Sequence, residues 1–133
     1  MTEGLAPEHL ELVRGLYQTP ARISPKYFYD AKGSSLFEDI THLDSYYLTR
    51  TERAIMATHA SEIALAVGSQ RTVIELGAGN CQKAKILCEL IAPARFVAVD
   101  ISATFLQEAV AGMRLAFPLM AIDAIAADLT TDI

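Results

Sequence analysis

The sequence has no tryptophan and only two cysteines, Cys81 and Cys88. Both fall in a segment that reads as helix, two turns apart, about 10 Å along the axis, which is too far for a disulfide. No C-x-x-C or H-x-x-x-H spacing occurs, so no metal site is expected, and the cysteines are expected as buried or half-buried free thiols. His9, His42 and His59 form no partner pattern and are expected at surface or satisfied positions. Basic residues are also in the minority, with 11 Lys and Arg against 16 Asp and Glu and a net charge of −5. That balance argues against nucleic acid as a partner, because phosphate backbones are bound by clustered basic side chains. It leaves room for a small anionic ligand held by one lysine and backbone N–H groups. No run approaches the roughly 20 apolar residues needed to cross a bilayer. Met1-Thr2-Glu3-Gly4 is acidic where a secretory signal would be positive, so a cytoplasmic address without a membrane partner is expected.

What the chain does have is core-forming material. Hydrophobic residues make up 52% of its 133 positions and charged residues 20%, enough for one ordinary folded domain. Residues 7–18 read as an amphipathic helix, with Leu10, Val13, Leu16 and Tyr17 on one face and Pro7 acceptable in the first turn. Pro20 and Pro25 bracket an irregular stretch. A capping box from Ser35 to Glu38 predicts a helix to about Leu43, and a second, from Thr49 to Glu52, opens a longer helix that Gly68 stops. Between them Asp44-Ser45-Tyr46-Tyr47-Leu48 reads as a linker.

The period then changes. Thr72-Val73-Ile74-Glu75-Leu76 is a β-branched run, followed by a helix from about Cys81 to Ile91 that Pro93 ends. Arg95 to Asp100 is a second strand, Ser102 caps a helix carrying Phe105, Leu106, Ala109, Val110, Met113 and Phe117, and Met120 to Ala127 is a third strand. Alternation of this kind means parallel strands with right-handed crossovers, an α/β fold. The nucleotide-fold rule orders three such strands 3-2-1, which leaves strand 72–76 at an edge. The expected division is a helical segment over 1–68 and, over 69–133, the first half of a doubly wound domain that continues in a longer chain. An open edge of this kind makes self-association an expected property.

The densest chemistry lies in Glu75-Leu76-Gly77-Ala78-Gly79-Asn80, between a strand and a helix. Glycines let the backbone turn sharply and approach a ligand, and the helix N-terminus behind them favours polar or anionic groups. Asp100 ends the next strand, about twenty residues on, where a carboxylate can accept both hydroxyls of a ribose. The dinucleotide fingerprint needs a third glycine where this chain has Gln82, so a pyrophosphate fits poorly. Glu75 ahead of the glycine pair instead resembles the S-adenosylmethionine loop of class I methyltransferases.

The front half sharpens the resemblance. Tyr27-Phe28-Tyr29-Asp30, Gly33 through Thr41, and Tyr46-Tyr47-Leu48-Thr49-Arg50-Thr51-Glu52, with the glycine loop, Lys83, Asp100 and Asp128, resemble the N-terminal portion of the histidine-specific methyltransferases. The resemblance implies a Rossmann-like, S-adenosylmethionine-dependent N-methyltransferase of ergothioneine biosynthesis, acting on the α-amine of an amino acid, histidine first. It also implies roles. Gly77 and Gly79 would lie against the cofactor, with Tyr29 close by, and Lys83 would reach its methionine carboxylate. Asp100 would hold the ribose, and Asp128 with Leu129 would flank the adenine. Tyr46 would contact the amino-acid substrate. No catalytic acid or base is identifiable. Two alternatives stay open: a fragment that binds cofactor without turnover, and a nucleotide-dependent oxidoreductase, which Gln82 disfavours.

Overall fold

The computed structural model of the chain describes residues 6–132; the acidic stretch Met1-Thr2-Glu3-Gly4 lies outside them. Helix α1 (Pro7–Leu16) and a 3-10 turn (Pro25–Phe28) precede α2 (Ala31–Thr41), α3 (Leu48–Thr58) and α4 (Ala60–Val67). The alternating half follows as β1 (Thr72–Leu76), α5 (Gln82–Ile91), β2 (Arg95–Asp100), α6 (Ala103–Ala116) and β3 (Ala121–Ala126). The three strands form one parallel sheet in the order β1-β2-β3, with Val73 opposite Phe96 and Phe96 opposite Ile122. Strand β1 is therefore an edge, as the strand-order rule predicts.

Side chains alternate across a sheet, and the two faces here have different fates. Phe96, Ala98 and Ile122 point into a core completed by Ala84 and Cys88 of α5 and Leu106, Val110 and Met113 of α6. Phe96 and Val110 are fully buried, and each side chain of that kind adds about 1.5–3 kcal/mol to folding. The other face leaves Ile74, Leu76 and Ile125 exposed. Near the start of β2 it carries an exposed ion pair between Arg95 and Asp123, at 2.7 Å. Among the described residues no helix is long and apolar enough to cross a membrane.

The front half departs from the sequence reading at its helix ends. Helix α1 stops at Leu16, short of residue 18. Helix α2 starts at Ala31, because Asp30 rather than Ser35 is its cap and accepts a 2.7 Å hydrogen bond from the Gly33 amide. Gly33 is required there: a Cβ would stand 1.6 Å from the Phe28 carbonyl oxygen. Helix α3 starts at Leu48 without a side-chain cap, so the Thr49–Glu52 box does not form. Its start is fixed instead by the Arg50 guanidinium, which donates to the carbonyls of Leu43, Asp44 and Tyr46. The single long helix expected after Thr49 is two, broken at His59, whose carbonyl accepts the Ile63 amide. Ser102 stands at the cap position of α6, but its hydroxyl makes no cap bond and its amide donates to Asp100 Oδ1 instead. Strand β3 is one residue shorter at each end than expected.

Candidate functional site

The site lies at the carboxyl ends of the three strands, where ligands of open parallel sheets are found. Strand β1 ends at Leu76, and Gly77 and Gly79 follow with φ of 71° and 51°, a region that side chains other than hydrogen rarely tolerate. The turn is fastened to the middle strand: the amides of Gly77 and Ala78 both donate to the Val99 carbonyl, at 2.8 and 3.0 Å. From the other edge of the sheet, the Ala127 amide donates to the Asp100 carbonyl at 3.0 Å. A Cβ built on Gly77 or Gly79 would meet nothing within 4 Å, so the space beside the turn is open.

Asp100 binds the turn through its side chain as well. Its Oδ2 accepts the Gly79 amide at 2.9 Å and its Oδ1 the Ser102 amide at 3.0 Å, leaving each oxygen a further lone pair. Asn80 lies two residues before α5, accepting the Gln82 amide at 3.0 Å and donating to Glu38 Oε2 on α2. Between them Cys81 takes a left-handed backbone, φ 58°, and is buried. Burial pushes its thiol up to about 12 and that of Cys88 up to about 11, and both are free.

One cavity of about 450 Å³ opens here, a size suited to a small molecule. It is lined by Tyr29, Gly77, Gly79, Lys83, Asp100, Asp128 and Leu129, seven of the eight residues singled out from the sequence. Tyr46 is the eighth and does not line it. Its ring stands edge-on to Phe37, centroids 6.0 Å apart, and Phe37 lines the cavity together with Tyr29, whose ring is 6.2 Å away.

Charge is unevenly placed around the cavity. At one end Lys83 lies 3.2 Å from Glu75 Oε1 and 3.5 Å from Glu52 Oε1. The Glu75 side chain is only 12% exposed, and its Oε2 is buried without a hydrogen-bond partner. Burial raises the Glu75 carboxyl above its ordinary range, against the pull of Lys83. Desolvation opposes ionisation of Lys83, and the charges and hydrogen bonds of Glu75 and Glu52 lift it above its ordinary value. At the other end Lys26 Nζ lies 2.7 Å from Asp128 Oδ2 and 2.6 Å from Glu11 Oε2. The hydrogen bonds from Lys26 and Thr130 hold the Asp128 carboxyl down to about 2.

Several lining residues have little sequence signal. Asn80 is the most legible, since a short amide in a turn bonds the backbone two residues on, as Asn80 does with the Gln82 amide. Glu52 sits in a string already conspicuous in the sequence, yet its pairing with Lys83 depends on how α3 packs. Lys26 and Asp128 are 102 residues apart, and no local pattern links them. Among the described residues no cluster of His, Cys, Asp or Glu is arranged to hold a metal ion.

Comparison with known proteins bears on this site. The sequence profile of the histidine-specific, SAM-dependent methyltransferases matches residues 8–133. A histidine N-alpha-methyltransferase of Mycolicibacterium smegmatis is 41% identical over 118 residues, 86% of this chain and 36% of the relative. One of Mycobacterium tuberculosis is 35% identical over 128 residues, 90% of this chain and 40% of the relative. Ergothioneine biosynthesis protein 1 of Neurospora crassa is 36% identical over 96 residues, 69% of this chain and 11% of the relative. The chain spans 36–40% of the length of the two bacterial relatives.

Proposed function

The chain belongs to the histidine-specific, SAM-dependent methyltransferase family, and from that premise we propose that its cavity holds S-adenosylmethionine for methylation of the α-amine of histidine. The observation that carries the reading is the gathering, in one cavity, of the glycine turn, Asp100, Lys83 and Glu75. The donor set fits the cofactor group by group. Lys83 suits a carboxylate, and the Glu75 carboxylate in the lining suits an ammonium. The lone pairs left on Asp100 suit a ribose diol, and the open side of Gly77 and Gly79 admits close approach. Tyr29 closes the cavity beside the cofactor, and Asp128 with Leu129 forms the wall toward the adenine.

When bound, the cofactor supplies a methyl group on a sulfonium, open to in-line attack by a neutral amine. The chain's own contribution is positioning, because the reaction gains from fixed geometry. We assign Tyr46 to the amino-acid side, where its edge contact holds Phe37 in the cavity wall. The parallel sheet with its helices is read as the first half of a Rossmann-like class I domain over 69–133, behind a helical segment over 1–68. The exposed residues Ile74 and Leu76 of the edge strand make self-association part of the proposal, and the free buried thiols fit a cytoplasmic setting.

Calorimetry with S-adenosylhomocysteine and with NAD tests the cofactor. Binding of the former and not the latter is expected; tighter binding of NAD overturns the reading. Transfer of labelled methyl to histidine, against other amino acids, tests the substrate.

A further inference from the structure

We propose that Lys26 is a positioning residue for the cofactor: by bridging Glu11 and Asp128 it locks the cavity wall that carries Asp128 and Leu129 to the N-terminal helix. The proposal rests on the cofactor reading above and concerns a residue which that reading does not use.

The bridge is unlike an ordinary surface pair. Lys26 and Asp128 side chains are 15% and 17% exposed, against 54% and 44% for Arg95 and Asp123, a pair with the same 2.7 Å separation. Exposed pairs contribute little because water screens them and two long side chains must be ordered; a pair already shielded and held escapes part of both penalties. Of the two partners of Lys26, Asp128 is held from behind, while Glu11 is half exposed on α1. Asp128 Oδ1 accepts the Thr130 amide at 2.9 Å and the Thr130 hydroxyl at 2.6 Å, so the carboxylate cannot swing without breaking three hydrogen bonds. The Asp128 amide donates to Asp132, which closes the same turn.

The platform under Lys26 is equally constrained. Pro25 presets the first turn of the 3-10 segment, and the Phe28 carbonyl that ends it is pressed against Gly33 so closely that no side chain fits between. Lys26 itself lines the cavity with Asp128, Leu129 and Thr130. One ammonium thus joins three pieces of chain, α1, the 3-10 turn and the loop after β3, at the wall assigned to the adenine. Without it, the Asp128 carboxylate keeps only its bonds from Thr130, and the wall loses this tie to α1 and the 3-10 turn.

The test compares Lys26→Met, Lys26→Arg, Asp128→Asn and the double variant Lys26→Met/Asp128→Asn, with Arg95→Met as the exposed-pair control. Binding of adenosine and of S-adenosylhomocysteine is measured by calorimetry, and amide exchange at Thr130 by NMR in the free protein. Lys26→Met should weaken both ligands by about fivefold, the upper end for a partly exposed charge pair, and speed Thr130 exchange. Lys26→Arg should recover most of both, and Arg95→Met should change neither. The double variant should be no weaker than the worse single one, because the two side chains act as one unit. Unchanged affinity with unchanged Thr130 exchange in Lys26→Met overturns the role of Lys26, as does full additivity in the double variant. A wild-type chain that binds neither ligand overturns the cofactor reading itself, and with it any part for Lys26 in cofactor binding.

Discussion

Replacing Glu75 by Gln should make the protein more stable and its ligand site worse. The carboxyl is nearly buried and Oε2 has no partner; a charged group left so costs more than the roughly 1–3 kcal/mol of a neutral one, and Gln exchanges the former for the latter. Against this stands the contact with Lys83, whose side chain is half exposed, worth about 0–1 kcal/mol after screening. The balance favours Gln by about 1 kcal/mol at neutral pH, a rise in Tm of roughly 3–5 °C for a domain of this size. The pH dependence follows from the direction of the shift. Burial, aided by the charges of Glu52 and Asp100, holds the folded-state pKa above the ordinary 4.5. The folded state therefore binds this proton more tightly than the unfolded one. Its stabilising effect is full below about pH 4.5 and is lost as the pH rises through the raised value. Gln does not titrate, so the two proteins should converge near pH 4 and separate above it. Thermal unfolding of both from pH 4 to 8, followed by circular dichroism, measures the gap. Calorimetry with S-adenosylhomocysteine should show at least about tenfold weaker binding, the lower end for a hydrogen bond to a charged group. A variant less stable than wild type at pH 7, by an amount independent of pH, would refute the reasoning and make Glu75 a structural anchor for Lys83.

Asp100→Ala should weaken S-adenosylhomocysteine by about 1.5–3 kcal/mol and, with both acceptors gone, speed amide exchange at Gly79 and Ser102; unchanged affinity would remove Asp100 from the site. Cys81 and Cys88 should resist iodoacetamide at pH 8 in the folded protein and react once it is unfolded, because burial holds both thiols protonated and out of reach. Mass spectrometry reads the difference, and rapid alkylation of the folded chain would show that the core beneath the glycine turn is open.

The sheet half is legible in the sequence because its signals are local. Val73, Phe96 and Ile122 lie in short β-branched or apolar runs separated by helices, and this alternation implies parallel strands. For the same reason Gly77, Gly79, Lys83 and Asp100 can be placed in one cavity, since a single turn, the helix that follows it and the strand beside it carry them all. Helix starts are less legible, because competing caps are settled by packing. Asp30 prevails over Ser35 where Gly33 lets the Phe28 carbonyl in, and Arg50 fixes the start of α3 by gathering three carbonyls that no sequence pattern marks as neighbours. Tyr46 behind Phe37, Glu38 on Asn80 and Lys26 on Asp128 all depend on how the front helices sit over the sheet. Such contacts join distant residues, and periodicity says nothing about them.

The end of strand β2 has a mechanical consequence. The loop leaving β1 hangs from the Val99 carbonyl by two amides, and the loop leaving β3 hangs from the next carbonyl, that of Asp100. Two loops from opposite edges of the sheet thus share one abutment, two successive peptide units wide. A molecule that grips the glycine turn loads Asp100, which holds Gly79 through its carboxylate and Ala127 through its carbonyl, so movement on one side of the cleft strains the peg on which the other is hung.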